Sequence, residues 1–195
     1  MKTPLLYLAI LVSLLLVGNT QMMAQQKYER EVRISADDVH PDALKFLKDS
    51  PVNSKVKWYR EIGLDTTSIE AKTKYKGQRY SIEFSENGVL EDVEVEIKAR
   101  DLKPDILKNI EQTIEQAYGD FKIEKIQLQY TGSPQLLKSV FGSSTIPDAV
   151  IIKYELVISS KESETFKRFE LLFNEELELE RTTEIITKND INIEY

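Results

Sequence analysis

The chain has no cysteine, a single histidine and only seven glycines in 195 residues. Without cysteine there is no disulfide framework and no thiol nucleophile, so the fold must hold itself together through its core. The lone His40 stands beside Pro41 at a helix start, where a helix-end role accounts for it. As a catalytic base it would have no partner histidine. No glycine-rich phosphate loop is present, and Ser143-Ser144 and Ser159-Ser160 sit in turn-like contexts without a nucleophile elbow. Acyl and phosphoryl transfer therefore find no support. The expectation is a protein that is not an enzyme and carries no cofactor and no metal.

Long apolar runs are also missing, with one exception. Residues 5–17 (LLYLAILVSLLLV) follow the positive Lys2, and Gly18, Asn19 and Thr20 then break the pattern. Met22-Met23-Ala24 offers a small residue at a cut site before Gln25. This layout predicts a secretory signal peptide over 1–24, the run being short for a membrane span; an uncleaved anchor is the alternative. Lipidation would need a cysteine at the cut. The expected product is therefore exported, periplasmic or secreted, soluble and unlipidated, with no span after cleavage. Without Lys2 the 26 basic residues fall to 25 against 33 acidic ones, a net charge of −8. Such a surface repels phosphate backbones, so no nucleic-acid partner is expected.

What is present is alternation. Residues 27–34 (KYEREVRI) read as one short strand. Capping side chains at Ser35 to Asp38 and Pro41 then open a short helix over 41–48 with Ala43, Leu44, Phe46 and Leu47 on its apolar face. Four strands follow at 55–62, 68–75, 79–85 and 89–98, with a turn at Lys76-Gly77-Gln78 and a hairpin signal at Glu86-Asn87-Gly88. Val93, Val95 and Ile97 point one way, Asp92, Glu94 and Glu96 the other: a sheet with one buried and one wet face.

The second half repeats the order. A longer helix runs from about Leu102 to Tyr118 with Gly119 at its end, and strands follow at 121–130, 150–159, 165–174 and 177–187. Pro41-Asp42-Ala43-Leu44-Lys45 matches Pro104-Asp105-Ile106-Leu107-Lys108, and Phe84-Ser85-Glu86-Asn87 matches Phe173-Asn174-Glu175-Glu176. The motifs lie further apart in the second half, most of the excess falling between Tyr130 and Val150. The division is a leader at 1–24, a first unit at 25–100 and a second at 101–195 carrying an inserted segment at 131–149. The fold class is α+β: a tandem repeat of a helix plus a four-stranded antiparallel sheet.

The run Lys57-Trp58-Tyr59-Arg60-Glu61-Ile62, then Ile69-Glu70-Ala71-Lys72, then Tyr80 to Glu94 resembles the PepSY-like, β-lactamase-inhibitor-like (BLIP-like) proteins of Gram-negative envelopes. Lys125 to Gly132 and Tyr154-Glu155-Leu156 fit the same pattern. The resemblance implies helices packed on one face of an antiparallel sheet, the other face left open. At the position matching Gly88 the second hairpin has Leu177, so that turn is expected to be built differently.

Three features bear on function. Glu91-Asp92-x-Glu94-x-Glu96 and Glu175-Glu176-x-Glu178-x-Glu180 place carboxylates on strands that could hold a cation. The simpler expectation is a solvated face balanced by Lys72, Lys74 and Arg181. Tyr59 faces away from Trp58 and is displayed with Lys57 and Glu61, either for recognition or as cross-strand filler. Pro134 to Phe141 reads as a short amphipathic helix, a functional insertion or a cover for a sheet edge. The reading that follows is a non-enzymatic binding module, inhibitor-like in shape. It would contact an envelope protein or peptide through Tyr59, Lys57, Glu61, Lys72, Glu83, Glu94 and Glu96. A periplasmic carrier for a small ligand or cation is the alternative.

Overall fold

The computed structural model describes residues 25–28, 30–63, 66–142, 145–162 and 165–186; the expected signal peptide at 1–24 lies outside them. Ten strands form one sheet: β1 (Gln25–Tyr28), β2 (Arg30–Ile34), β3 (Lys57–Ile62), β4 (Thr67–Tyr75), β5 (Gln78–Ser85), β6 (Leu90–Ile97), β7 (Phe121–Thr131), β8 (Ile151–Glu162), β9 (Thr165–Phe173) and β10 (Leu179–Ile186). Their spatial order is β1-β10-β9-β8-β7-β6-β5-β4-β3-β2. The nine strands β2 to β10 pair antiparallel, and β1 joins β10 in parallel. Because β6 pairs with β7, the two halves share one sheet rather than forming separate four-stranded ones.

The segment expected as a single strand at 27–34 is instead divided, with β1 at one edge of the sheet and β2 at the other. Alternation shows that a segment is extended and is silent on which neighbour it pairs with. Tyr28 and Arg30 are two residues apart, so their Cα atoms lie within about 7 Å of each other. The two edges of the sheet therefore approach one another, and the sheet curls. The face expected to be open is the inside of that curl.

Three helices accompany the sheet: α1 (Pro41–Lys48), α2 (Pro104–Tyr118) and α3 (Pro134–Leu137), the last continuing as a 3-10 turn over Lys138–Val140. Proline at the first turn starts each one, where its missing N–H costs nothing. His40 caps α1 by accepting the Asp42 N–H at Nδ1, 3.3 Å away. At the other end of α2, Gly119 takes a positive φ of 65° with its N–H on the Glu115 carbonyl, and buried Ser160 donates to the Tyr118 and Asp120 carbonyls.

The outer face carries two apolar clusters. In the first, Ala43, Phe46 and Leu47 of α1 meet Trp58, Ile69, Ala71, Tyr80, Ile82, Phe84, Val93 and Val95. Phe84 sits between Phe46 and Trp58, with ring centroids 5.8 and 6.1 Å away. In the second, Ile110 and Ile114 of α2 lie on Ile126, Leu156, Ile158, Phe169, Leu171 and Phe173. Ile97 packs against both. The inserted segment joins the first cluster: Leu137, Val140 and Phe141 are buried, and the Phe141 ring stacks 5.2 Å from Tyr80 and 6.2 Å from Phe46. It thus covers the sheet's apolar face beside α1 and not a sheet edge. Those strands need more cover than an eight-residue helix supplies.

The two matched hairpins are built alike. Gly88 N–H donates to the Ser85 carbonyl and Ser85 N–H to Val89; Leu177 N–H donates to Asn174 and Asn174 N–H to Glu178. Leu177 holds φ 65° where Gly88 holds φ 76°. The expectation of a different second turn is corrected: leucine adopts the left-handed conformation there, and its side chain packs against the second cluster.

Candidate functional site

Strand alternation that turns Phe84, Val93 or Leu156 toward the helices turns the neighbouring residues into the curl. The register then sets them in rows. Tyr59 stands opposite Glu70, Glu70 opposite Glu83, and Glu83 opposite Asp92. The next row runs Lys72, Ser81, Glu94, Gln129, Lys153. Glu96, Gln127 and Glu155 make a third, and Glu170 faces Val157 in a fourth. Like charges directly opposite one another on a sheet repel, so these rows cost stability unless something compensates. Glu70, Lys72, Glu83, Asp92, Glu94, Glu96, Gln129, Glu155 and Glu170 of these rows line a cavity of about 740 Å³ that reaches from Glu31 on β2 to Ile185 on β10.

Five of these carboxylates are withdrawn from water. Glu70, Asp92, Glu94, Glu155 and Glu170 are only 4, 9, 5, 5 and 6% exposed. The expected solvated acidic face is therefore corrected, because curling removes from water what a flat sheet would leave in it. Two groups of three can be distinguished. In the first, oxygens of Glu31, Glu61 and Glu70 lie within 4.8 Å of one another. There the Lys72 ammonium stands 2.5 Å from Glu31 and 2.9 Å from Glu70, and Ser81 donates to Glu70. Burial pulls the Lys72 ammonium down, yet Glu70 and Glu31 outweigh it and hold its pKa above the ordinary lysine value.

The second group, Glu83, Asp92 and Glu94, meets the same 4.8 Å criterion. Gln127 Nε2 donates to Glu94 at 2.6 Å, and Gln129 Nε2 donates to Asp92 at 3.2 Å. Among the described residues, no ion pair within 4.0 Å involves Asp92 or Glu94. Burial, then Glu83, Glu155 and Glu91, push the Asp92 carboxyl up to about 8. Burial, then Glu155, Glu83 and Asp92, raise Glu94 well above the carboxylate range. A buried carboxylate in this position takes a proton or a cation. On the far side Arg181 lies 3.5 Å from Glu170 and 4.0 Å from Glu155.

Of the residues expected to form the binding face, Glu61, Lys72, Glu83, Glu94 and Glu96 line the cavity together. Glu96 is held by Arg79 at 3.3 Å. Tyr59 is half-buried with the Lys72 ammonium 5.2 Å above its ring, and is not displayed as expected. Lys57 is exposed and stands opposite Lys72. Neither Tyr59 nor Lys57 lines the cavity. The second acidic run does not form the facing strand: Glu175-Glu176 is a turn, Glu178 accepts from Asn174, and Glu180 pairs with Lys153 at 2.5 Å. The acids that face β6 from the second half are Glu155 and Glu170, missed because each stands between apolar or aromatic neighbours and outside an acidic run. Their signal was parity, Glu155 between Tyr154 and Leu156, Glu170 between Phe169 and Leu171.

No family model and no curated protein matches the sequence. Among solved structures the chain is similar to a BLIP-like protein from Bacteroides fragilis, at 16% identity and a TM-score of 0.46, over 79% of this chain and 92% of that one. No helix among the described residues is long and apolar enough to cross a membrane.

Proposed function

We propose that this is a non-enzymatic binding module of the cell envelope, acting after removal of the leader at 1–24, whose concave sheet face receives a positively charged segment of a protein or peptide. The observation that carries this reading is the set of five carboxylates, each at most 9% exposed, on one face of one curled sheet. A cavity lined mainly by one sign of charge, with low-dielectric walls, focuses its field outward and draws in the opposite charge. Asp92 and Glu94, whose carboxyls are pushed up, add to that field only once ionised. Direct contact falls to half-buried Glu61 and Glu96 at the rim, with exposed Lys57 and half-buried Tyr59 beside the cavity, Lys72 within it, and Glu83 and Glu94 at the floor. Residues 25–100 and 101–195 are read as two units of a helix and four strands, which together build the face.

The test is capture from a Gram-negative envelope extract by the protein and by a Glu61→Lys/Glu96→Lys variant, both in EDTA. A basic partner held by the parent, released by salt and lost by the variant is the expected result. A partner held equally by both, or none held by either, overturns the reading.

A further inference from the structure

We propose that Glu83, Asp92 and Glu94 form a divalent-cation site, and that calcium is the ion their donor set fits. One oxygen from each lies within 4.8 Å of the other two, so an ion centred among them stands at most about 2.8 Å from all three, a small adjustment from the usual calcium–oxygen distance of about 2.3–2.6 Å.

The molecule contains its own comparison. In the Glu31, Glu61, Glu70 group the oxygens likewise lie within 4.8 Å of one another, and the group holds a cation, the Lys72 ammonium, 2.5 Å from Glu31 and 2.9 Å from Glu70. Among the described residues nothing does this for Asp92 and Glu94, which make no ion pair there. A second observation is independent of the acids themselves. Gln127 is 4% exposed and its carboxamide is aimed at the group, donating to Glu94 at 2.6 Å, yet its Oε1 has no hydrogen-bond donor. Asp92 Oδ1 is likewise buried without a donor. Buried acceptors left without donors are costly, and a hard cation satisfies them.

The chemistry of the donors selects the ion. Carboxylate oxygens, without imidazole or sulfur, suit calcium or magnesium over zinc or copper. Magnesium demands a near-ideal octahedron, whereas calcium accepts irregular oxygen sets and completes its shell with water, which the adjoining cavity admits. Asp92 and Glu94 at 9 and 5% exposure admit a small ion more readily than a lysine with its four-carbon stem. The inference concerns the floor of the cavity and does not rest on the partner reading above, whose test is run in EDTA.

The experiment is calorimetric titration of the chelator-stripped protein with calcium chloride, beside Asp92→Asn, Glu94→Gln and Glu31→Gln, with thermal melts of each in calcium and in EDTA. Expected are saturable binding of one ion, a higher melting temperature in calcium, and a loss of affinity of about tenfold or more in Asp92→Asn and Glu94→Gln. Glu31→Gln, in the other group, leaves the affinity unchanged. Asp92→Asn and Glu94→Gln remove buried negative charge, so both fold, and circular dichroism verifies it. Neither heat nor melting shift at millimolar calcium overturns the proposal, as does undiminished affinity in those two variants. Tighter binding of magnesium than of calcium overturns the choice of ion.

Discussion

Gly88 and Leu177 occupy corresponding places in two hairpins with the same hydrogen bonds, and they reach the left-handed conformation by different means. For leucine the conformation costs about 1–2 kcal/mol, which packing against the second apolar cluster offsets. Gly88 meets a further constraint. A Cβ there would fall 2.4 Å from Nδ1 of His40, the residue that caps α1. Gly77, at φ 86°, has open space around it. Gly88→Ala should therefore destabilise by more than the roughly 1–2 kcal/mol of backbone strain that Gly77→Ala incurs. Urea unfolding of the two variants measures the difference; equal losses would show that His40 gives way freely.

Among the elements, the helices were legible because their signals are local. Proline at the first turn, an apolar stripe and a glycine stop placed α1 at 41–48, and α2 within two residues of its start. The strands from β3 to β10 were legible from alternation. The destination of residues 25–34 was not, because edge pairing is a long-range choice among many extended partners. The inserted segment was read as helical, and its hydrophobic face agrees with that. Which surface it covers depended on the uncovered area left by α1. Phe141 is 4% exposed between Tyr80 and Phe46, so Phe141→Ala should cost about 3–5 kcal/mol. A loss below 1 kcal/mol in chemical unfolding would mean that the segment is not part of this core.

In the whole molecule, the curl brings like charges together, and this has a consequence for pH. Asp92 faces Glu83 from β5, Glu155 from β8 and, more distantly, Arg181 from β10, with Glu91 and Glu94 on its own strand. Its folded pKa of about 8 lies above the ordinary 3.8, so the folded state keeps a proton that the unfolded chain releases. That contribution is fully present below the unfolded value and is lost as pH rises toward 8. In EDTA the stability should fall across this window, by up to about 1.4 kcal/mol per pH unit for each proton held. Glu94, raised in the same direction, adds to the fall. Urea midpoints between pH 5 and 8 measure it, and a rising midpoint would show these carboxyls ionised throughout. Added calcium should raise the midpoint most at the high end of the range, where the carboxylates are free to bind it.

The alternation of β6, by itself, determined that Asp92, Glu94 and Glu96 share a face opposite Val93, Val95 and Ile97, since side-chain direction in a strand is a matter of parity. The same local rules determined α1 and the hairpin at Gly88. Whether that acidic face met water was decided only by the tertiary structure. Glu155 and Glu170 come from strands distant in the chain, and the curl that brings β1 and β2 together closes the face over them. Exposure is a property of the whole sheet's curvature, which no single strand encodes, and the chemistry of these carboxylates follows from it.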